Sequence, residues 1–254
     1  QKVFAKELVL ATGIRLEDNS HFGQEWIPKF GVVYHPFSKT AIRSTVAKGF
    51  RTPSIKDLYL FPPANQDLKP ERLWNYELGF NQYIGQHFSI DVCGYYYKGD
   101  QLIQTTMVAP GQPQNQNVGG NEAKGFEVSL RAEPVKNISA NLSYAYLDSK
   151  ENIPFAPNKF NFFINYQMNK FNLTFYGEYI TDLYASYQLN QMPPKTTIEK
   201  MANYTLVHFK LNYNIMKNIN LSLGIENLID ESYEILKGYP MVGRSFLSSV
   251  YFTL

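Results

Sequence analysis

The sequence predicts an all-β fold, a transmembrane antiparallel up-and-down β-barrel, on three observations. Aromatic residues make up 15% of the chain, with 19 Tyr and 18 Phe, and such residues favour strands. The predicted strands alternate apolar and polar residues over about ten to thirteen positions, a length that crosses a bilayer at a tilt. The connections alternate between minimal turns and long loops, which is typical of outer-membrane barrels.

Composition excludes several other classes of protein. The net charge of +2 gives no support for nucleic-acid binding. No run approaches 18 apolar residues, which excludes a transmembrane helix, whereas alternating barrel strands average to a polar hydropathy. The single cysteine, Cys93, excludes an internal disulfide. Because the chain starts at Gln1 without a signal peptide, we interpret it as a mature protein or a fragment.

Twelve strands are predicted, in chain order, each from a run with period-two alternation. They are 7–18, 27–36, 40–51, 72–84, 88–99, 122–133, 138–148, 159–168, 171–181, 203–214, 219–229 and 244–254. The turns at one end are short, as at 37–39, 85–87 and 169–170. The loops at the other end are rich in Pro, Gly, Asn and Gln, and we expect them to be extracellular. They are 51–71, 100–121, 148–158 and 182–202.

Residue parity decides between a membrane barrel and a soluble sandwich, because positions i and i+2 of a strand share a face. In strand 159–168, Phe160, Phe162 and Ile164 share one face and Asn161 and Asn165 the other. Mid-strand charges fall on the polar face in strand after strand: Arg15, Lys29, Arg43, Glu77, Asp91, Glu127, Arg131, Glu178, Lys210 and Glu226. A charge at mid-depth in lipid costs roughly 2–4 kcal/mol, so this sorting favours the barrel.

Three lysines, Lys48, Lys98 and Lys124, are exceptions on the apolar face. They lie near strand ends, where we expect them to reach the membrane interface. The sandwich is the alternative with the same alternation, but its strands average about five or six residues.

Several stretches resemble the C-terminal half of the barrel of TonB-dependent receptors. Together they span about residues 45–254 and occur in the family's order. They are Lys48-Gly-Phe-Arg-Thr-Pro-Ser-Ile-Lys-Asp-Leu-Tyr59, Asn65-Gln-Asp-Leu-Lys-Pro-Glu71 followed by Tyr76-Glu-Leu-Gly-Phe80, Asn117-Val-Gly-Gly through Lys124-Gly-Phe-Glu-Val128, Asn203-Tyr-Thr-Leu-Val207, Gly224-Ile-Glu-Asn-Leu-Ile-Asp230 and Tyr239-Pro-Met-Val-Gly-Arg-Ser-Phe246. Thr52 and Gln66 depart from the usual Ala and Pro, and Leu254 stands where an aromatic residue is common.

The resemblance implies a bacterial outer-membrane receptor that imports a scarce nutrient. Residues 1–254 would be the C-terminal part of a 22-stranded barrel, with about its last twelve strands. The N-terminal plug domain, the TonB-contacting box and the first ten strands would be absent from this chain. The implied partners are outer-membrane lipid, the remainder of the receptor, TonB through the missing plug, and a small-molecule metal chelate.

Ligand capture is expected on the long outer loops and the upper lumen, where polar and aromatic side chains converge. The candidate ligand-binding residues are Tyr59, Phe61, Gln104, Gln114, Tyr184, Tyr187, Gln191, Met192, Tyr239 and Arg244. Each could equally be a girdle aromatic or a solvated loop residue. Haem-binding relatives carry a histidine between the first two motifs, and no histidine lies between Pro53 and Asn65. A ferric siderophore or similar metal chelate is the first prediction, and a corrinoid the second.

Two other functional classes stay open: a self-contained twelve-stranded barrel, such as an outer-membrane phospholipase or an autotransporter pore, and an adhesive barrel without transport. The phospholipase needs a Ser–His pair at the outer rim, for which only His21 and His208 are candidates. The four histidines are scattered without ligand spacing, so no metal site or cofactor is predicted. No catalytic residue is predicted, and the receptor interpretation implies that the chain is not an enzyme.

Overall fold

The fold is known from a computed structural model, which describes residues 2–5, 7–60, 62–149, 156–189 and 195–253. The described residues form nineteen strands and one short helix, α1 (Ile55–Tyr59). The strands are β1 (Lys2–Ala5), β2 (Leu8–Asn19), β3 (Gly23–Phe37), β4 (Thr40–Arg51), β5 (Glu71–Ile84), β6 (Phe88–Asp100), β7 (Leu102–Ala109), β8 (Gln112–Val118), β9 (Asn121–Val135), β10 (Ile138–Ser149), β11 (Asn158–Met168), β12 (Phe171–Thr181), β13 (Tyr184–Leu189), β14 (Lys195–Lys200), β15 (Tyr204–Met216), β16 (Ile219–Glu226), β17 (Glu234–Leu236), β18 (Tyr239–Pro240) and β19 (Ser245–Phe252).

Thirteen strands form one sheet in the order β1-β2-β3-β4-β5-β6-β9-β10-β11-β12-β15-β16-β19. All twelve predicted strands are confirmed within it, and the short β1 is an addition that the sequence did not predict. The remaining strands pair as three separate hairpins, β7–β8, β13–β14 and β17–β18. Hairpins β7–β8 and β13–β14 occupy the connections 100–121 and 182–202, which were predicted as loops, and β17–β18 lies between the last two predicted strands. The end of the sheet that carries them is called the outer end below.

The chain divides into two compact units. Unit 1 comprises Gln1–Phe80, Cys93–Gly125 and Asp148–Glu151, and unit 2 comprises Asn81–Val92, Phe126–Leu147 and Asn152–Leu254.

In unit 1, the alternation of polar and apolar side chains is visible on the neighbouring strands β4 and β5. A Cβ atom on Gly79 would lie 2.5 Å from Cζ of Arg43, so the guanidinium crosses the space that this glycine leaves open on the polar face. On the opposite face, the rings of Trp74, Tyr76 and Tyr96 stack in a ladder with centroids 6.4 and 6.1 Å apart. The predicted sorting of charge and aromatic residues therefore holds in this unit.

In unit 2, the register of β11, β12, β15 and β16 places apolar residues opposite apolar residues and polar residues opposite polar residues. Ile164 pairs with Phe175, Phe175 with Phe209, and Phe209 with Ile225. One position along, the polar row runs through Asn165, Thr174, Lys210 and Gly224. The Nδ2 of Asn165 donates to Thr174 Oγ1 at 3.0 Å, which satisfies part of this row internally. Phe163 is an exception, because it pairs with Tyr176 on the polar face and is exposed.

The sheet has no hydrophobic core of the size that a soluble sandwich needs. Among the described residues, no large side chain is fully buried, whereas Ile164 is 45% exposed and Leu223 is 40% exposed. A continuous apolar face of this extent requires a nonpolar environment. The sandwich alternative is therefore excluded. None of the described residues belongs to a helix long and apolar enough to cross a bilayer.

The three lysines on the apolar face have acidic neighbours. Lys98 lies 3.5 Å from Glu122, and Lys124 lies 3.5 Å from Asp148. Lys48 contacts Glu25, which also binds Arg72 at 2.9 Å. Each of these three lysines therefore lies near a strand end, as the sequence indicated, and forms an ion pair there.

We expect the Ile164→Arg variant to destabilise the complete receptor by about 2–4 kcal/mol, because it places a charge near mid-strand on the apolar face. The matched control is Gln167→Arg on the same strand, since Gln167 is an exposed residue of the polar face. The control should change the free energy of unfolding by less than about 1 kcal/mol. Urea unfolding in lipid vesicles, followed by gel mobility of unheated samples, measures both. Equal destabilisation by the two variants would contradict the assignment of faces.

Candidate functional site

The outer hairpin β7–β8 of unit 1 is attached to the loop that connects β4 to β5. The Nδ2 of Asn65 donates to the carbonyl oxygen of Asn115 at 2.7 Å, and the N–H of Asn115 donates to the carbonyl oxygen of Pro63 at 2.6 Å. Asn65 and Asn115 are 9% and 8% exposed. A buried amide that bonds to backbone groups holds segments together rather than contacting a ligand.

Asn117 forms a second attachment between the same segments. Its Oδ1 accepts from the Lys69 N–H at 2.6 Å, and its Nδ2 donates to the carbonyl oxygens of Lys69 and Gln101 at 2.8 and 2.7 Å. Since these bonds reach backbone atoms on both segments, Asn117 fixes the root of the hairpin. Asn65, Asn115 and Asn117 are called the asparagine anchor below.

An ion pair completes this attachment. The two carboxylate oxygens of Glu71 accept from Arg51 at 2.5 and 2.6 Å. One of them also accepts from the N–H of Ile103 at 2.8 Å, at the start of the hairpin. The motif residues at 65–71 and at 117 thus meet in space, although the sequence separates them by almost fifty positions.

Helix α1 presents Tyr59 on the anchored loop. Ser54 caps the helix, because its hydroxyl accepts from the Asp57 N–H at 3.2 Å while the Asp57 carboxylate accepts from the Ser54 N–H at 2.9 Å. The hydrogen bonds from Ser54 lower the pKa of Asp57, so the cap stays ionised at neutral pH. Leu58 is buried beneath the helix, and Tyr59 is exposed.

The two faces of hairpin β7–β8 differ in their contacts. Thr105 and Asn115 are cross-strand partners on the face that bears the asparagine anchor. The opposite face carries Gln104 paired with Gln116 and Thr106 paired with Gln114, and these four residues are called the amide face. Gln116 Nε2 donates to Gln114 Oε1 at 2.7 Å. The predicted residues Gln104 and Gln114 therefore lie on one surface.

The outer loops of unit 2 rest on a small hydrophobic cluster. Ile180, Leu183, Tyr204 and Leu206 are its buried members, and the ring of Tyr233 packs against Tyr204 at 4.7 Å. Hairpin β13–β14 lies beyond this cluster, where the predicted residue Tyr184 pairs with Lys200. Lys237, in the β17–β18 turn, contacts Glu199 of β14. The two hairpins of this unit are thus tied to each other.

Tyr239 and Arg244 lie farther along the outer loops of unit 2. Tyr239 is 70% exposed. The Arg244 guanidinium lies 3.6 Å from Asp230, whose Oδ1 also accepts from the Arg244 N–H at 2.8 Å. Asp230 therefore compensates the charge of this arginine.

For four of the predicted ligand-binding residues the structure describes no side chain. Phe61, Gln191 and Met192 lie outside the described residues, and Tyr187 is described only as backbone of β13. Of the remaining candidates, Gln104 and Gln114 share the amide face of unit 1, Tyr59 lies on the anchored loop of the same unit, and Tyr184, Tyr239 and Arg244 lie in unit 2. Ligand contact by each of them stays a prediction.

The sequence interpretation missed Gln116 and the asparagine anchor. The available signal was the stretch from Gln101 to Asn121, which contains no charged residue and seven amide side chains before its last position. The β-branched residues Ile103, Thr105, Thr106 and Val108, followed by Pro110 and Gly111, could have indicated the hairpin, because such a run bounded by turn residues is typical of a strand.

The histidines considered for a Ser–His pair have other neighbours. His208 contacts Glu226, stacks on Tyr176 and accepts from the Asn227 N–H at 3.3 Å. His21 packs its ring edgewise against Phe22. Neither described contact set includes a serine. Within the described residues, no group of three His, Cys, Asp or Glu is placed to hold a metal ion.

A family model described as TonB dependent receptor-like, beta-barrel, matches residues 3–228. The vitamin B12 transporter BtuB of Photobacterium profundum is 26% identical in an alignment of 243 positions that covers 93% of this chain and 39% of the relative. The BtuB transporter of Vibrio vulnificus is 25% identical in an alignment of 260 positions that covers 97% of this chain and 40% of the relative. The chain thus spans about two fifths of the length of these relatives.

Solved structures show the same fold. The siderophore receptor PirA from Acinetobacter baumannii aligns with a TM-score of 0.84 at 17% identity, covering 98% of this chain and 44% of the receptor. The FrpB iron transporter from Neisseria meningitidis aligns with a TM-score of 0.78 at 15% identity, covering 98% and 43%.

These relatives are named as transporters and receptors rather than enzymes, in agreement with the sequence prediction. The family match extends over most of the sheet, including the strands whose apolar faces require a nonpolar environment. The chain belongs to the TonB-dependent receptor family and forms part of its outer-membrane β-barrel.

Proposed function

We propose that this chain is the C-terminal part of the barrel of an importer that takes up a metal chelate, with a ferric siderophore as the first candidate. The ligand binds the outer loops, TonB acts through a plug domain encoded outside residues 1–254, and the ligand passes along the polar face. The observation that carries the proposal is the anchored hairpin β7–β8, whose amide face is held on a rigid root at the outer end. A pre-organised polar surface lowers the entropic cost of ligand binding.

A corrinoid is the second candidate. It is favoured by the BtuB relatives, which are named as vitamin B12 transporters and which match nearly the whole chain. The structural neighbours named for siderophores and iron share the fold at lower identity. Both candidates are metal chelates, so they share the receptor mechanism and differ in the ligand.

Uptake measurements test this function directly. We expect cells that produce the complete receptor to accumulate a labelled ferric siderophore or a labelled cobalt corrinoid, and accumulation should stop when TonB is deleted. A panel of both ligand classes, with receptor-free cells as the control, separates the two candidates. If no member of the panel is bound or accumulated above the control, the proposed function is wrong.

We expect the Asn117→Ala variant to weaken ligand binding about tenfold, because it removes the hydrogen bonds at the root of the hairpin, each contributing about 1 kcal/mol. Asn220→Ala is the matched control. Asn220 lies in β16 beside the short turn that precedes this strand, at the end of the sheet that does not carry the hairpins. Equilibrium binding to the purified complete receptor measures the change, and gel mobility of unheated samples checks that the barrel is folded. Unchanged binding by a folded Asn117→Ala receptor would show that the anchored hairpin is not part of the site.

A further inference from the structure

We infer that the chelate bound by the outer loops of this chain is electrically neutral, or nearly so, and that it is held by amide and hydroxyl hydrogen bonds. This inference rests on the proposed function and narrows its ligand class. It is carried by the charge distribution at the outer end of each unit.

The first observation is the absence of charge on hairpin β7–β8. The stretch from Gln101 to Asn121 contains no Asp, Glu, Lys or Arg. Its amide face offers N–H donors and carbonyl acceptors from Gln104, Gln114 and Gln116, with the hydroxyl of Thr106 between them. Such groups recognise neutral carbonyl, amide and hydroxyl groups, whereas polyanions are bound by clusters of Arg and Lys.

The second observation is that basic side chains at the outer end of unit 1 are compensated by acids. Glu25 contacts Lys48 and binds Arg72, and Glu71 binds Arg51. The other pairs are Arg15–Glu17, Lys98–Glu122 and Lys124–Asp148. A guanidinium that already binds a carboxylate at both nitrogens has few donors left for an anionic ligand.

The outer loops of unit 2 follow the same rule. Lys200 contacts Asp182, Lys237 contacts Glu199, and Lys159 binds Glu178 at 2.9 Å. Arg244, the one basic residue among the candidate ligand-binding residues, lies beside Asp230. The hydrogen bond from Lys200 lowers the pKa of Asp182, so that carboxylate is ionised at neutral pH.

Two further basic groups belong to the unit 1 loops. Lys56 precedes Asp57 in helix α1 and interacts with it electrostatically. A recess of about 470 Å³ between the β2–β3 turn and the anchored loop has Asp67, Lys69 and Arg72 in its lining. The carboxylate of Glu25 binds Arg72, so the recess presents one lysine and one aspartate besides this paired arginine.

Acidic side chains outnumber basic ones in the described outer regions of both units. In unit 1 the acids are Glu17, Asp18, Glu25, Asp57, Asp67, Glu71, Asp100, Glu122 and Asp148, and the bases are Arg15, Lys48, Arg51, Lys56, Lys69, Arg72, Lys98 and Lys124. In unit 2 the acids are Glu178, Asp182, Glu199, Asp230, Glu231 and Glu234, and the bases are Lys159, Lys195, Lys200, Lys237 and Arg244. Since acids exceed bases by one in each unit, this surface offers no excess of positive charge to a ligand with several negative charges.

Ligand chemistry separates the classes cleanly. Three catecholates on Fe³⁺ leave a net charge of about −3, whereas three hydroxamates neutralise the same ion. A cobalt corrinoid presents amide side chains around its ring and matches the donors and acceptors of the amide face. The inference allows two ligand classes, ferric trishydroxamates and cobalt corrinoids. Both present a neutral, amide- or carbonyl-rich surface around an enclosed metal ion.

Binding of three probes at two ionic strengths tests the inference on the purified complete receptor. The probes are a ferric trishydroxamate, a cyano-cobalt corrinoid and a ferric triscatecholate. We expect one of the two neutral probes to bind with an affinity that changes less than about twofold between 0.01 and 0.5 M salt, because screening does not act on a neutral ligand. Which neutral probe binds decides between iron and cobalt chelates.

A matched pair of variants on the amide face gives a second readout. Gln114→Glu and Gln114→Lys both remove the amide and add opposite charges to one position. We expect both to weaken binding of the neutral probe by a similar factor, about tenfold, since each loses the same hydrogen-bonding group. If the ligand were a polyanion, Gln114→Lys would tighten binding and Gln114→Glu would weaken it strongly.

The outcomes distinguish failure of the inference from failure of the proposed function. Tight, salt-sensitive binding of the triscatecholate, strengthened by Gln114→Lys, would confirm a chelate receptor and overturn the neutral-ligand inference. Binding of none of the three probes would overturn both.

Discussion

The whole structure depends on the separation of apolar and ionised side chains onto opposite faces of one sheet. A folded soluble domain stabilises its strands by burying one face, but the strands here leave residues such as Ile164 and Leu223 uncovered. Hydrocarbon supplies the environment that a protein core supplies elsewhere. Packing within the chain is consequently concentrated under the outer loops, at Leu58 and Leu68 in unit 1 and around Tyr204 in unit 2.

The outer loops lie outside the membrane and have no large hydrophobic core among the described residues, so other contacts must hold them in place. Unit 1 does so with buried amides and an ion pair, in which Asn65, Asn117 and Glu71 bond to backbone groups of another segment. Unit 2 uses apolar contacts beneath its hairpins and the Lys237–Glu199 contact between them. Both solutions fix the root of a hairpin at the outer end.

The sheet was predictable from the sequence because its signal is local. Period-two alternation identifies each strand without knowledge of its neighbours, and all twelve predicted strands are present. Hairpin β7–β8 was missed because its second strand consists mostly of Gln and Asn, and Asn is depleted in strands. The contact between Asn65 and Asn115 joins residues fifty positions apart, so no local pattern reveals it. Gln104 and Gln114 were predicted from composition, but their position on a common face follows only from the register of β7 and β8.

The asparagine anchor also bears on how such a receptor changes its specificity during evolution. Its hydrogen bonds reach mainly main-chain atoms at the base of the hairpin, near Gln101, Asn115 and Lys69. The tip around Gly111 takes no part in these bonds, and its glycine supplies the positive φ that the turn requires. Substitutions between Thr106 and Gln114 would therefore leave the hydrogen bonds of the root in place, and under the proposed function they would change the ligand while the barrel stays the same.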